Sequence, residues 1–183
     1  MKLVILDRDG VINEDSPDYI KSPAEWHPVP GSLEAIALLN QAGFRVFVAS
    51  NQSGVGRGYF DFDALFAIHD KMHRALAEVG GRIEGIFFAP EHPDQASEMR
   101  KPAPGMLKDL AKRLNVSLDG VPFVGDSGSD LEAARAAGAR PVLVRSGNGK
   151  RTEMKHSMAG VEVFDDLLSF ARTQLERVTV PVG

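Results

Sequence analysis

Leu3-Val4-Ile5-Leu6-Asp7-Arg8-Asp9-Gly10 decides the fold: an apolar run stops abruptly at two carboxylates and a glycine. A run this short and rich in aliphatic residues reads as a strand buried on both faces. The chain then leaves the sheet carrying two acids separated by one residue. In open parallel sheets, ligands bind in the crevice beyond the carboxyl ends of the strands. Acids gathered there repel one another and lose hydration unless a cation or a proton compensates. A divalent metal with oxygen ligands, Mg²⁺ before others, resolves that conflict. Asp9-Gly10 alone is ordinary turn chemistry, so the rest of the chain has to decide.

Working outward, apolar strand-like runs recur at Lys2–Leu6, Arg45–Ala49, Ile83–Ala89, Val121–Val124 and Pro141–Val144. Helical patterns lie between them. Ser32–Gln41 has a capping serine and an apolar face of Leu33, Ile36 and Leu39, and stops at Gly43. Asp61–Val79 repeats Phe62, Leu65, Phe66, Met72 and Leu76 and ends at Gly80-Gly81. Pro104–Leu114 begins with a proline suited to a first turn. Ser129–Ala137 and Asp165–Glu176 complete the set. Strand alternating with helix predicts an α/β domain, a doubly wound and mainly parallel sheet. The domain is expected to span 1–176, with 177–183 as a loosely held tail.

The whole chain bounds the reading. Its 183 residues suffice for one domain with a real core. With 43% hydrophobic and 25% charged residues, a net charge of −4 and no long basic stretch, no nucleic-acid partner is expected. No apolar run suits a membrane span, and no signal-peptide pattern precedes the first strand. Cysteine is absent, which excludes disulfides and thiolate metal sites and fits a cytoplasmic protein.

In a parallel sheet the strand ends share one address. Asp7 and Asp9 follow the first strand, Ser50-Asn51-Gln52-Ser53-Gly54 the second, and Arg100-Lys101-Pro102 stands in the long loop after the third. Gly125-Asp126 closes the fourth, with Asp130 close behind. Asp-x-Asp, then Ser, then Lys, then Gly-Asp-x-x-x-Asp resembles the haloacid dehalogenase (HAD) superfamily of phosphotransferases, over Lys2 to about Val144. The resemblance implies a HAD-like Rossmannoid fold. It makes Asp7 the nucleophile, forming an aspartyl-phosphate, and Asp9 the general acid and base. Ser50 and the Asn51 N–H would hold phosphoryl oxygens, and Lys101 would neutralise their charge. Mg²⁺ would lie on the Asp7 carboxylate, the Asp9 backbone carbonyl and Asp126. Asp130, which also suits a helix start, is read as supporting these groups or as structural.

Only about 40 residues separate Asp9 from Ser50, and about 50 separate Ser50 from Lys101. The elements already assigned use most of both intervals, so no cap domain fits. Loops at 13–31, 54–60 and 90–103 must shape the pocket. Those loops, with Asp7-Arg8-Asp9-Gly10, Arg57-Gly58-Tyr59-Phe60 and Arg100-Lys101-Pro102-x-Pro104-Gly105-Met106, resemble the D-glycero-D-manno-heptose 1,7-bisphosphate 7-phosphatases. That branch implies a small phosphorylated sugar as substrate. Its 7-phosphate is removed during ADP- or GDP-heptose precursor synthesis for lipopolysaccharide or S-layer sugars. The alternative is histidinol-phosphate phosphatase or a broader small-molecule phosphomonoesterase. Arg100, and less directly Arg57, would bind the second anion of a bisphosphate.

Relatives often carry a structural zinc on Cys-x-His and Cys-x-Cys-Arg-Lys-Pro. This chain has Ala89, Glu91, Ser97 and Met99 at those places, so no zinc is expected. Ser127 stands where relatives often have Lys. His69 and His73 have metal-ligand spacing on a helix, but read as a surface or half-buried pair. Gly54-x-Gly56-x-Gly58 reads as a flexible loop supplying backbone donors. Trp26 and Tyr19 are expected to be buried as the first loop folds onto the body. A receiver domain is excluded by the order of the acids, and a capless monomer is expected.

Overall fold

In the computed structural model, which describes residues 2–179, six strands form one wholly parallel sheet. They are β1 (Lys2–Leu6), β2 (Phe44–Asn51), β3 (Gly85–Ala89), β4 (Pro122–Gly125), β5 (Arg140–Val144) and β6 (Glu162–Phe164). The spatial order is β3-β2-β1-β4-β5-β6, so the winding reverses between β1 and β4. The helices are α1 (Ser32–Gln41), α2 (Ser53–Gly56), α3 (Phe62–Glu78), α4 (Gly105–Leu114), α5 (Gly128–Ala137), α6 (Gly149–Lys155) and α7 (Leu167–Thr179).

Period-two alternation along β1 sorts the core into two layers. Val4 and Leu6 pack with Val46 and Val48 against Ile36, Leu39, Ile68, Met72 and Phe170 of α1, α3 and α7. Leu3 and Ile5 face the opposite way, with Phe47, Ala49 and Phe123, onto Met106, Leu107 and Leu110 of α4 and Ala133 and Ala134 of α5. Burial on both faces accounts for the continuous apolar run. Besides the elements named above, the intervals from Asp9 to Ser50 and from Ser50 to Lys101 hold only two single 3-10 turns, Pro23–Glu25 and Pro93–Gln95, leaving no room for a cap. Among the described residues, no helix is long and apolar enough to cross a membrane.

Several boundaries differ from the sequence reading. β2 extends through Ser50 and Asn51, so these are strand residues rather than loop residues. The short edge strand β6 and helix α6 were not foreseen. β6 has three half-buried residues, and α6 buries only Gly149 and Thr152, so neither carries an apolar period. α7 runs on to Thr179, and Arg177, expected in the tail, donates from Nη2 to Glu162 Oε2 on β6 at 2.5 Å. The remainder of that expected tail, 180–183, lies outside the described residues.

Candidate active site

The reversal of winding puts the ends of β1 and β4 side by side, and Asp7 N–H donates to the Val124 carbonyl at 2.9 Å. Ligand crevices form at such switch points. Asp7 directly follows β1 and Asp126 directly follows β4, with oxygen atoms of Asp7, Asp126 and Asp130 mutually within 4.8 Å. Lys101, only 3% exposed, reaches in from the loop after β3. Its Nζ donates to Asp130 Oδ1 at 2.6 Å and to the Ala49 carbonyl at 2.9 Å, and lies 3.0 Å from Asp7 Oδ1.

These three acids are not equivalent. Asp130 Oδ2 accepts from Asp126 N at 3.1 Å, Ser127 N at 3.1 Å and Ser127 Oγ at 2.7 Å, while Oδ1 is held by Lys101. With Ser127 it forms the capping box of α5. Asp130 is therefore committed to structure and to Lys101. Burial, then Asp130, pushes the Asp7 carboxyl well above its ordinary range, although Lys101 opposes this. Burial and Asp130 likewise raise Asp126 to about 7. Burial disfavours the Lys101 ammonium, but Asp130 and Asp7 outweigh it and hold its pKa above the usual value. Two buried carboxylates that resist ionisation, with oxygen ligands aimed at one point, suit a hard divalent cation.

Asp126 is braced from behind by the loop after β5 and by α6. Asn148 N donates to its Oδ2 at 2.8 Å, and Thr152 Oγ1 to its backbone carbonyl at 2.8 Å. Gly10 and Gly147, both at positive φ (+83° and +56°), pack against the same carboxylate. A Cβ on either would overlap Asp126 Oδ2.

Asp9 faces a different set of partners. Its Oδ1 accepts from Arg8 Nε at 2.8 Å and Asn13 Nδ2 at 3.0 Å, and its Oδ2 from Gln52 Nε2 at 3.2 Å. Burial favours the neutral acid, but Arg8, Asn13 and Gln52 together hold the pKa below its ordinary value. Arg8 and Gln52 were missed in the sequence. A cation between two acids reads as solvent-exposed, and only the approach of α3 and the end of β2 buries it.

A cavity of about 340 Å³ opens above these groups. Asp7, Asp9, Lys101 and Asp126 reach it from below; Asn51, Gln52 and Ser53 flank it; Asp15, Ser16, Tyr19, Arg100 and Asn148 stand around them. Asn51 clasps the Lys101 backbone, its Nδ2 donating to the carbonyl at 2.9 Å and its Oδ1 accepting from N–H at 3.0 Å. Ser50 is only 1% exposed, and its Oγ accepts from Gln52 Nε2 at 2.8 Å. Arg57 sits behind Tyr19, its guanidinium 6.0 Å from the ring centroid. Arg57 Nε and Arg100 Nη1 are both buried without a hydrogen-bond partner.

Some expectations need correcting. Tyr19 lines the cavity with a left-handed backbone (φ 66°), whereas Trp26 is buried in the core as expected. Gly54 and Gly56 do not form a flexible donor loop. They lie in α2, where Gly54 closes on the Phe60 ring and Gly56 N–H donates to the Pro90 carbonyl at 2.8 Å. The histidine pair is split, with His73 exposed and His69 buried against Arg8, whose Nη1 lies 3.2 Å from His69 Nε2. Glu91 and Ser97 hydrogen-bond each other, Ser97 Oγ donating to Glu91 Oε1 at 2.6 Å.

Burial, then Arg8, lowers the His69 pKa to about 3, against 6.5 for the free side chain. Between those values the unfolded chain binds a proton that the native state refuses, so this contribution to stability rises with pH. It is fully present above pH 6.5 and lost as pH falls towards 3. The stability difference between parent and His69→Gln should therefore slope by about 1.4 kcal/mol per pH unit in that window. Urea titrations at about pH 4, 5 and 6 check this, and parallel curves would rule out the buried neutral imidazole.

Comparison with known proteins adds four findings. A family model described as "HAD-hyrolase-like" matches residues 98–170. The chain is 53% identical over 177 residues to a D-glycero-beta-D-manno-heptose-1,7-bisphosphate 7-phosphatase of Bordetella bronchiseptica, covering 96% of this chain and 99% of that one. A Pseudomonas putida protein of the same name is 52% identical over 172 residues, with 94% and 98% covered. The crystal structure of the D,D-heptose 1,7-bisphosphate phosphatase from B. bronchiseptica, complexed with magnesium and phosphate, superposes with a TM-score of 0.95 at 53% identity, covering 97% of this chain and 99% of that one.

Proposed function

We infer, for a chain that belongs to the HAD-like D-glycero-beta-D-manno-heptose-1,7-bisphosphate 7-phosphatase family, that its reaction is hydrolysis of the 7-phosphate of that sugar, with the β anomer as substrate. The observation that carries this reading is the meeting of Asp7, Lys101 and Asp126 at one switch point, beneath a polar cavity flanked by Arg100. The β anomer rests on the names of the relatives.

In this reading a carboxylate oxygen of Asp7 bonds to phosphorus in line with the departing sugar oxygen. As the bond from phosphorus to that oxygen breaks, the oxygen takes a proton from Asp9. The resting site favours Asp9 as the anion, and a phosphate dianion entering beside it raises its affinity for the proton it must carry. Asp9 then takes a proton from water as the water oxygen bonds to phosphorus. The bond from phosphorus to Asp7 breaks, and the carboxylate is restored. Lys101 balances charge on the phosphoryl group, and Ser50 and the Asn51 N–H orient its oxygens. Asp7, Asp126 and the Asp9 backbone carbonyl would hold Mg²⁺, which when bound neutralises charge on the transferring phosphoryl group.

Arg100, which lines the cavity, supplies the second anion site, and Arg57 contributes only indirectly, through its contact with the Tyr19 ring. Arg100→Ala should lower kcat/KM about 10- to 100-fold for the bisphosphate and much less for a monophosphate of similar size. Equal losses on both substrates would remove Arg100 from recognition of the second phosphate.

The loop at 90–103 is held by Glu91–Ser97 hydrogen bonding rather than by zinc. EDTA should stop turnover and Mg²⁺ restore it, while elemental analysis of the purified protein finds no stoichiometric zinc. Stoichiometric zinc would overturn this reading of the loop. Every reacting group comes from one chain, in keeping with a monomer, and the cysteine-free composition is in keeping with a cytoplasmic location.

The decisive assay is phosphate release with Mg²⁺ from both heptose 1,7-bisphosphate anomers, histidinol phosphate and simple sugar phosphates. Preferential loss of only the 7-phosphate from the β anomer supports the assignment. Comparable slow rates on every substrate would overturn it.

A further inference from the structure

Arg8, between the two reacting carboxylates, is completely buried. Its guanidinium spreads over three partners: Nε donates to Asp9 Oδ1 at 2.8 Å, Nη1 lies 3.2 Å from His69 Nε2, and Nη2 donates to Gln52 Oε1 at 3.3 Å. Gln52 then turns its Nε2 back onto Asp9 Oδ2 at 3.2 Å and onto Ser50 Oγ at 2.8 Å. Both Asp9 oxygens are thus held by donors that are themselves anchored elsewhere. The outermost anchor is His69, on the buried face of α3.

A neutral imidazole fits that position, because its Nε2 can accept from the guanidinium whereas an imidazolium could only oppose it. His69 also packs beside the Phe88 ring, with centroids 6.2 Å apart. Arg8 is a planar fork whose direction is set by what each nitrogen meets. Without the His69 contact, one prong loses its partner and the fork can rotate. Asp9 would follow it, since Nε is one of the donors on Oδ1.

We propose that Arg8 and His69 are positioning residues for Asp9: His69, from the middle of α3, aims the Arg8 guanidinium, which aims the Asp9 carboxylate at the leaving-group oxygen. The proposal rests on the reading of Asp9 as general acid and base. A purely structural ion pair would change the amount of folded enzyme but not how the rate divides between the two chemical steps.

The test uses the full chain with Mg²⁺ and two substrates, the heptose bisphosphate and p-nitrophenyl phosphate. The nitrophenolate departs with little need of a proton, so the first step on that substrate depends weakly on where Asp9 points. His69→Leu should lower kcat on the sugar phosphate about 10- to 100-fold, with KM within about twofold. On p-nitrophenyl phosphate it should show a burst of nitrophenolate, because water attack on the aspartyl-phosphate still needs Asp9 and becomes limiting. His69→Gln, which retains an acceptor, should recover most of the loss.

Parent-like kcat in His69→Leu, equal losses on both substrates without a burst, or no rescue by glutamine would each overturn the proposal. Should His69→Leu fail to fold, Arg8→Lys keeps the charge without the fork and must show the same burst on p-nitrophenyl phosphate; its absence would overturn the proposal. Asp9→Ala separates the two ideas. If it is inactive while His69→Leu is normal, only the positioning role fails; if it is active, the acid–base reading fails.

Discussion

Asp7→Asn is expected to lower phosphate release by about 10⁴- to 10⁶-fold while leaving the protein folded. The amide nearly matches the carboxylate in shape, and its oxygen can still accept from Arg8 N–H, which lies 2.8 Å from Asp7 Oδ1, and from Lys101. What it loses is the anionic oxygen that bonds to phosphorus, and no other route in the site splits the hydrolysis into two easier steps. The same change removes one negative charge from a buried cluster. Burial, then Asp130, already makes the Asp7 anion unfavourable without a cation, so the variant in EDTA should melt at the parent temperature or a few degrees above it. Acid-quenched reactions with labelled substrate should trap no phosphoenzyme. Residual activity above about one hundredth of the parent would remove Asp7 from the nucleophile's role.

Lys101→Met should be damaging in two separable ways. Lys101 is the buried cation between Asp7 and Asp130, and its loss leaves both carboxylates uncompensated. Breaking such a pair typically costs about 3–5 kcal/mol, which in a domain of this size lowers Tm by roughly 6–20 °C. The phosphoryl group also loses its neutralising charge, so kcat should fall at least about 10²-fold. A Lys101→Met/Asp130→Asn double variant removes an orphaned carboxylate with the lysine, and should recover part of the Tm and none of the activity. Thermal melts and single-turnover rates on both proteins check this. Recovery of activity alongside stability would mean that Lys101 acts only through the fold.

The strand ends were legible because each motif closes an apolar run, and a parallel sheet sends such ends to one side. The sequence alone therefore places Asp7, Asp9, Lys101 and Asp126 together. Arg8 was not legible as a buried group, because its partners come from Gln52 just beyond β2, from α3 and from the turn at Asn13. Nothing local to Asp7-Arg8-Asp9 tells whether α3 will cover it. Asp130 had two readings, helix start and support for the site, and the structure combines them: it caps α5 through Ser127 and carries Lys101 on its other oxygen. Tyr19 and Trp26 looked alike as large rings in one loop. Their fates part because Trp26 packs against the core from the turn at Pro23–Glu25, while the left-handed backbone at Tyr19 sets its ring on the cavity wall. β6 escaped notice because three edge residues carry too few side chains to show a period.

The two glycines behind Asp126 have a consequence for how this protein can change by mutation. Gly10 and Gly147 belong to loops far apart in the sequence, yet both leave the space of their missing side chains to one carboxylate, and the Gly147 loop also lies against the Gly10 backbone. A side chain at either position would displace the same oxygen, and replacing one glycine does nothing to make room at the other. The pair therefore constrains the two loops as one unit. Neither loop can be lengthened, exchanged or allowed to drift unless its glycine stays in register with Asp126, whereas Gly58, Gly80 and Gly120, whose added side chains would meet nothing within 4 Å, impose no such steric bond on their surroundings.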